Sequence, residues 1–220
     1  TRLVGFVGNL GYTYDERFLL DFSVRSDGSS LYGSNNRWGT FWSLGLGYNL
    51  HHEKFMERLT FINLLKIRGS IGTTGGQNFN PYQSMAMYSY NDDRIGAISY
   101  SGYIGAILKA FGNKNLRWQK VEKQNVGLDF ELFDRRLTGS FNVYDDISKD
   151  VLIDVTLAPS LGFSSYKENL GEVKNSGVEL TLKGTVIRDR EREIYWDIMY
   201  NLAHNKNKVT KINQALTAFN

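Results

Sequence analysis

FLLDFSVRSDGSS, residues Phe18–Ser30, alternates without a break: Phe18, Leu20, Phe22 and Val24 fall on one face of a strand, and Leu19, Asp21, Ser23, Arg25 and Asp27 on the other. In a soluble sheet the second face meets bulk water and the first a core. In a membrane barrel the apolar face meets lipid and the polar face a wet lumen, so the same alternation is a wall between two solvents. The surrounding sequence decides between these.

Seven more runs of period two surround this one, roughly Leu3–Tyr14, Trp38–Leu50, Leu64–Thr73, Arg117–Phe133, Arg136–Ile147, Asn175–Ile187 and Ile194–Asn205. Most match or exceed the roughly 9 to 11 residues of a tilted strand crossing a bilayer, whereas strands of globular proteins are commonly about 5 or 6 residues long. The connections alternate in length. DER (Asp15–Arg17), LFDRR (Leu132–Arg136) and RDRERE (Arg188–Glu193) are short and charged; between them lie longer stretches rich in Gly, Ser, Asn and Tyr. Thr74–Leu116 is the longest of these and shows no clear periodicity. HHEKFMERLTFIN (His51–Asn63) breaks the alternation and is expected to form a small amphipathic turn of helix. Long loops on one side and tight turns on the other predict an all-β segment of a large antiparallel transmembrane barrel, with long outer loops and short periplasmic turns.

The apolar faces agree. Trp38, Trp42, Leu44, Leu46 and Tyr48 share one face of the third run, and Trp196, Ile198, Tyr200 and Leu202 one face of the eighth. Aromatics flanking aliphatics fit a bilayer, where rings collect at the headgroup level. Thr138, Ser140, Asn142, Tyr144 and Asp146 form an opposing polar face.

Composition narrows the function classes. With 41% hydrophobic and 22% charged residues the chain is not disordered, and 26 basic against 23 acidic side chains leave only +3, too little for nucleic acid. There is no cysteine, which removes disulfides and thiolate chemistry. Aromatics at 14%, 22 glycines and two prolines favour strands. No apolar run reaches the roughly 20 residues of a spanning helix, and TRLVGFVGNL lacks the plan of a signal peptide. The chain starts within a strand pattern, so a fragment of a longer protein is expected.

Candidate chemistry is sparse. HHEK (His51–Lys54) offers adjacent residues that diverge on extended backbone, with no third ligand at a supporting spacing, so no metal is expected. GTTGGQ (Gly72–Gln77) lacks the Lys and Ser/Thr of a phosphate loop, and neither Asp145–Asp146 nor Asp92–Asp93 makes an acid/base pair. No nucleophile, base and orienting group can be assembled, so no enzyme and no cofactor are expected. Tyr82, Tyr88, Tyr90, Tyr100 and Tyr103 in the long loop are the ligand-contact candidates, since a phenol offers a flat apolar face and a polar rim; packing against the mouth or a partner is the competing use. Asp21, Arg25 and Asp27, two residues or a multiple apart, are expected to face the lumen and to pair across strands or with a plug.

Several stretches also carry a resemblance. RSDGSSLYGSNNRWGTFWSLGLGYNL (Arg25–Leu50), LKIRGSIGTTGGQ (Leu65–Gln77), NLRWQKVEKQNVGLDFELFDRRLTGSFNVYDD (Asn115–Asp146), GEVKNSGVELTL (Gly171–Leu182) and NKNKVTKI (Asn205–Ile212) resemble, in order and spacing, the later barrel strands of the SusC/RagA family of TonB-dependent outer-membrane transporters. Two departures are Trp42, where the family usually has Pro, and Gly76, where Asn is common. The resemblance implies about eight strands of a barrel of roughly 22, residues 1–220 forming one barrel segment without a separate second domain. It implies import of glycans, or in some cases peptides, with a SusD-like surface lipoprotein over the outer mouth, TonB engaged through an N-terminal part, and outer-membrane lipid around the wall. The alternatives are a soluble β-sandwich that binds glycans through the tyrosine loop, and a passive porin.

Overall fold

In a computed structural model the described residues are 2–76, 84–90, 106–110, 112–157, 165–189 and 191–211. Among them ten strands form in chain order: β1 Leu3–Tyr14, β2 Phe18–Ser29, β3 Trp38–Asn49, β4 Ile62–Gly76, β5 Met87–Tyr90, β6 Ala106–Ala110, β7 Gln119–Leu132, β8 Leu137–Thr156, β9 Ser165–Asp189 and β10 Ile194–Lys211. Eight of them make one antiparallel sheet in the order β1-β2-β3-β4-β7-β8-β9-β10, and β5 pairs with β6 in a separate hairpin. All eight period-two runs are strands of the sheet. The hairpin lies inside the stretch Thr74–Leu116, where two strands of four and five residues are too short to declare a period.

The last three strands overrun their expected bounds. β8 has 20 residues and β9 has 25, because the β8–β9 ladder passes irregularities between Ser148 and Val151 and between Val151 and Leu152, and then resumes from Leu152–Asn169 to Thr156–Ser165. Asp150 sits there at φ 57°. A bulge resets the inward–outward phase, so an alternation read from residue to residue stops where the strand does not.

The turns between strands are tight where the sequence is charged. Asp15 and Glu16 adopt φ 50° and 52°, and the Arg17 N–H donates to the Tyr14 carbonyl at 3.0 Å, the geometry of a type I′ hairpin turn. The expected helical turn after β3 is a 3₁₀ turn, Leu50–His52, followed by further bonds from Met56 to Glu53 and from Leu59 to Met56. Glu53 ties it down by accepting from the Tyr48 hydroxyl at 2.8 Å and facing Arg17 at 3.4 Å, while His51 Nδ1 sits 3.4 Å from both backbone polar atoms of Leu65. No group of three His, Cys, Asp or Glu able to hold a metal occurs among the described residues.

One face of the sheet carries a belt of apolar side chains: the register carries Phe22 to Leu44 and Ile71, and Ile67 to Leu128, Phe141, Leu180 and Leu202. This face is left open, with Phe22 39% exposed, Leu46 54% and Val126 60%. Total accessible area is 15922 Å², against about 10,000 Å² for a compact monomer of this mass. Among the described residues the only other sheet is the short β5–β6 hairpin. Aromatic pairs mark both ends of that face: Phe18 stacks on Tyr48 at 4.8 Å and neighbours Tyr14 near the short turn, and Phe6 stacks on Trp38 at 6.2 Å near the long loops. The register row through Phe22 and Ile71 arrives at Asp145, Ser176 and Lys206, so the apolar belt slips along the strands from one to the next. That slip is the signature of strands tilted to a barrel axis.

Candidate functional site

The other face is polar, and β2 supplies it with Asp21, Arg25 and Asp27. Arg25 and Asp27 pair within their own strand, Nε to Oδ2 at 2.7 Å, with Asp27 only 5% exposed. The expected cross-strand pairing does not occur there, because the residues opposite Asp27 are Gly5 on β1 and Gly39 on β3. A Cβ at Gly5 would lie 2.4 Å from Asp27 Oδ1, so the missing side chain is what admits the carboxylate. Asp21 is flanked in the same way by Gly11 and Gly45, and has no ion pair among the described residues.

Beside Asp27 the loop after β2 is clamped against the loop before β7. Tyr32 stacks on Trp118 at 4.1 Å, Phe41 meets Trp118 edge-on at 5.6 Å, and Tyr32, Phe41 and Trp118 are all nearly fully buried. The Tyr32 hydroxyl donates to the Gly76 carbonyl at 3.0 Å and the Trp118 indole to the Arg37 carbonyl at 3.2 Å. Burial pushes the Tyr32 phenol pKa up, so it stays neutral and a donor. Gly75 makes room for this cluster, since a Cβ there would fall within 2.1 Å of the Phe41 ring. A hollow of about 430 Å³ opens next to it, lined by Ser23, Arg25, Asp27, Phe41, Thr74 and Trp118 among others. Trp118→Ala should cost about 3 to 5 kcal/mol of local stability. The expected readout is fast amide exchange at Gly33, whose N–H bonds the Leu116 carbonyl, with the barrel's own melting little changed; unchanged protection at Gly33 would refute the clamp.

Lower on the polar face Arg68 of β4 reaches Asp129 of β7 at 2.9 Å, and its guanidinium also donates to Asn142 of β8 at 2.5 Å and Asn125 at 3.5 Å. A fork of planar donors spanning three strands holds its charge in one place. Neither this network nor the Tyr32–Trp118 clamp was visible in the sequence: each joins residues more than forty positions apart, and only the register aligns them. Lys66, Arg68 and Ser70 on the polar phase of β4 were the available signal.

Of the five tyrosines, Tyr88 and Tyr90 lie on β5, and Tyr88 is 64% exposed. Tyr82, Tyr100 and Tyr103 lie outside the described residues, as do Asp92 and Asp93.

Residues 1–218 match the family described as TonB dependent receptor-like, beta-barrel. The chain belongs to this family. Its relatives include TonB-dependent receptor P39 of Formosa agariphila, 34% identical over 210 residues that make up 96% of this chain and 20% of that protein. TonB-dependent receptor SusC of Bacteroides thetaiotaomicron is 33% identical over 213 residues, 96% of this chain and 21% of SusC. The TonB-dependent receptor segment thus spans about a fifth of the length of these relatives. Among solved structures it is similar to the RagAB peptide importer in its closed-closed state, with TM-score 0.86 and 31% identity over 96% of this chain and 22% of that one. Likeness to the copper transporter OprC, TM-score 0.54 at 15% identity over 97% of this chain and 30% of OprC, reflects shared fold alone. The receptor segment is accordingly part of an outer-membrane barrel related to SusC and RagA, in a family of receptors rather than enzymes.

Proposed function

We propose that the segment is one stretch of the wall of an active importer that takes up glycans or peptides, works with a SusD-like surface lipoprotein, and is driven through TonB. The observation that carries this is the two-solvent sheet, one face an open apolar belt and the other a glycine-spaced polar wall with the Arg68 fork. In this reading Asp21, Arg25 and Asp27 face the lumen, residues 1–220 are barrel wall throughout, and the five tyrosines offer ring faces to cargo or to the lipoprotein. The likeness to the RagAB peptide importer supports peptide as the first cargo to try. Labelled oligopeptides and oligosaccharides supplied to cells with and without the full receptor test it: uptake of one class is expected to depend on the receptor and on TonB. Equal uptake without TonB would leave a passive pore instead.

Sidedness follows from loop length. A tag inserted at Asp92 should be reachable on intact cells and one at Glu16 should not. The opposite labelling pattern would invert the orientation.

A further inference from the structure

The apolar face changes character toward its loop end. Two neighbouring register rows cross it there, one running from Leu46 through Val126 and Val178 to His204, the next from Leu44 through Gln124 and Ser176 to Lys206. With glycine at Gly69 and serine at Ser176 the floor sinks, and the rows enclose a groove of about 660 Å³. On the same face Lys206 lines the end of the groove, and beyond it stand Lys120, Lys149, Lys174, Lys208 and Lys211. The acids among them are Glu122, Asp145 and Glu172, and each is taken: Glu122 by Lys149 at 2.7 Å, Asp145 by Lys174 at 2.6 Å, Glu172 by Lys211 at 3.2 Å. Lys120, Lys206 and Lys208 have no ion pair among the described residues. Asp145 Oδ1 is buried without a hydrogen-bond partner among the described residues, an acceptor that a head-group hydroxyl can satisfy.

A floor continuous with the hydrocarbon belt, topped by surplus cations at the level where headgroups lie, is complementary to an anionic amphiphile and to little else. We propose that the groove seats a phosphorylated anionic lipid of the surrounding leaflet, its acyl chain along the valine row and its phosphate against Lys206 and Lys208. A soluble phosphate would leave the apolar floor unused, and a protein partner would have to enter the bilayer edge. The site rests on the orientation proposed above, in which this face meets lipid.

The test uses the full receptor purified in detergent, incubated with phosphatidylglycerol or phosphatidylcholine, with retained lipid counted by native mass spectrometry. Phosphatidylglycerol should be retained in clear excess. The pair Lys206→Gln/Lys208→Gln should cut that retention roughly tenfold or more, each surface lysine being worth about fivefold, while Lys206→Arg/Lys208→Arg keeps it. Equal retention of the two lipids by the natural receptor, or undiminished retention by the Gln pair, overturns the site while leaving the membrane wall standing. Retention of neither lipid overturns the site, while arginine at Phe22 reports on the wall independently. Displacement by sodium phosphate but not by sodium chloride of equal ionic strength would reassign the groove to free phosphate.

Discussion

Arginine at Phe22 is expected to destabilise the folded receptor by about 2 to 4 kcal/mol, and arginine at Ser23, one residue on, by far less. The two positions share a strand and differ only in face. Phe22 stands between Leu10 and Leu44 in the apolar row, so a guanidinium there is held in hydrocarbon near the middle of β2. Ser23 stands between Asn9 and Ser43 on the polar side, where a longer cation meets water and other polar groups. Equilibrium unfolding in lipid vesicles, with urea as denaturant, measures both variants on one scale. Equal losses would mean that the faces are assigned the wrong way round or that neither meets lipid.

The second large effect is on the piece by itself. Residues 1–220 produced without the rest of the receptor should give no compact monomer in water. β1 and β10 are the edges of the sheet, and each has only one neighbour to satisfy its backbone N–H and C=O groups. The open face is as costly: Phe6, Leu10, Ile198 and Leu202 are all near half exposed or more, and nothing among the described residues covers them. Sedimentation and amide exchange without detergent are expected to report aggregate with weak protection. A monodisperse species with long-lived amides would overturn the barrel wall.

The strands were legible because each obeys one rule over many residues. Phe18 to Val24 declares its faces by itself, and no partner is needed to read it. What stayed hidden depends on pairing. The fate of Asp27 could not be read from Arg25 alone, since it turned on Gly5 and Gly39, which only the register sets opposite. The upper half of β8 disappeared at the Asp150 bulge, where the period shifts although the ladder resumes. The clamp on Trp118 and the Arg68 fork are contacts across long sequence separations, and single-strand patterns are silent about those. The family resemblance, by contrast, was carried by whole segments and survived these local gaps.

The order of strands also sets an order of assembly. Every ladder of the sheet but one joins strands separated by short or moderate connections; the exception is β4 to β7, whose ends are bridged by residues 77–118. Closing a loop of that length costs about 2 kcal/mol more in chain entropy than closing a hairpin turn. The wall should therefore form as two separately nucleated blocks, β1 to β4 and β7 to β10, and zip together last along the seam that Arg68 and Asp129 cross. The Tyr32–Trp118 stack lies at the top of that seam and acts as its latch. In a time course of receptor assembly, a cysteine pair at Ser23 and Ser43 should crosslink before a pair at Ser70 and Asn125; simultaneous closure would show that the blocks do not form separately.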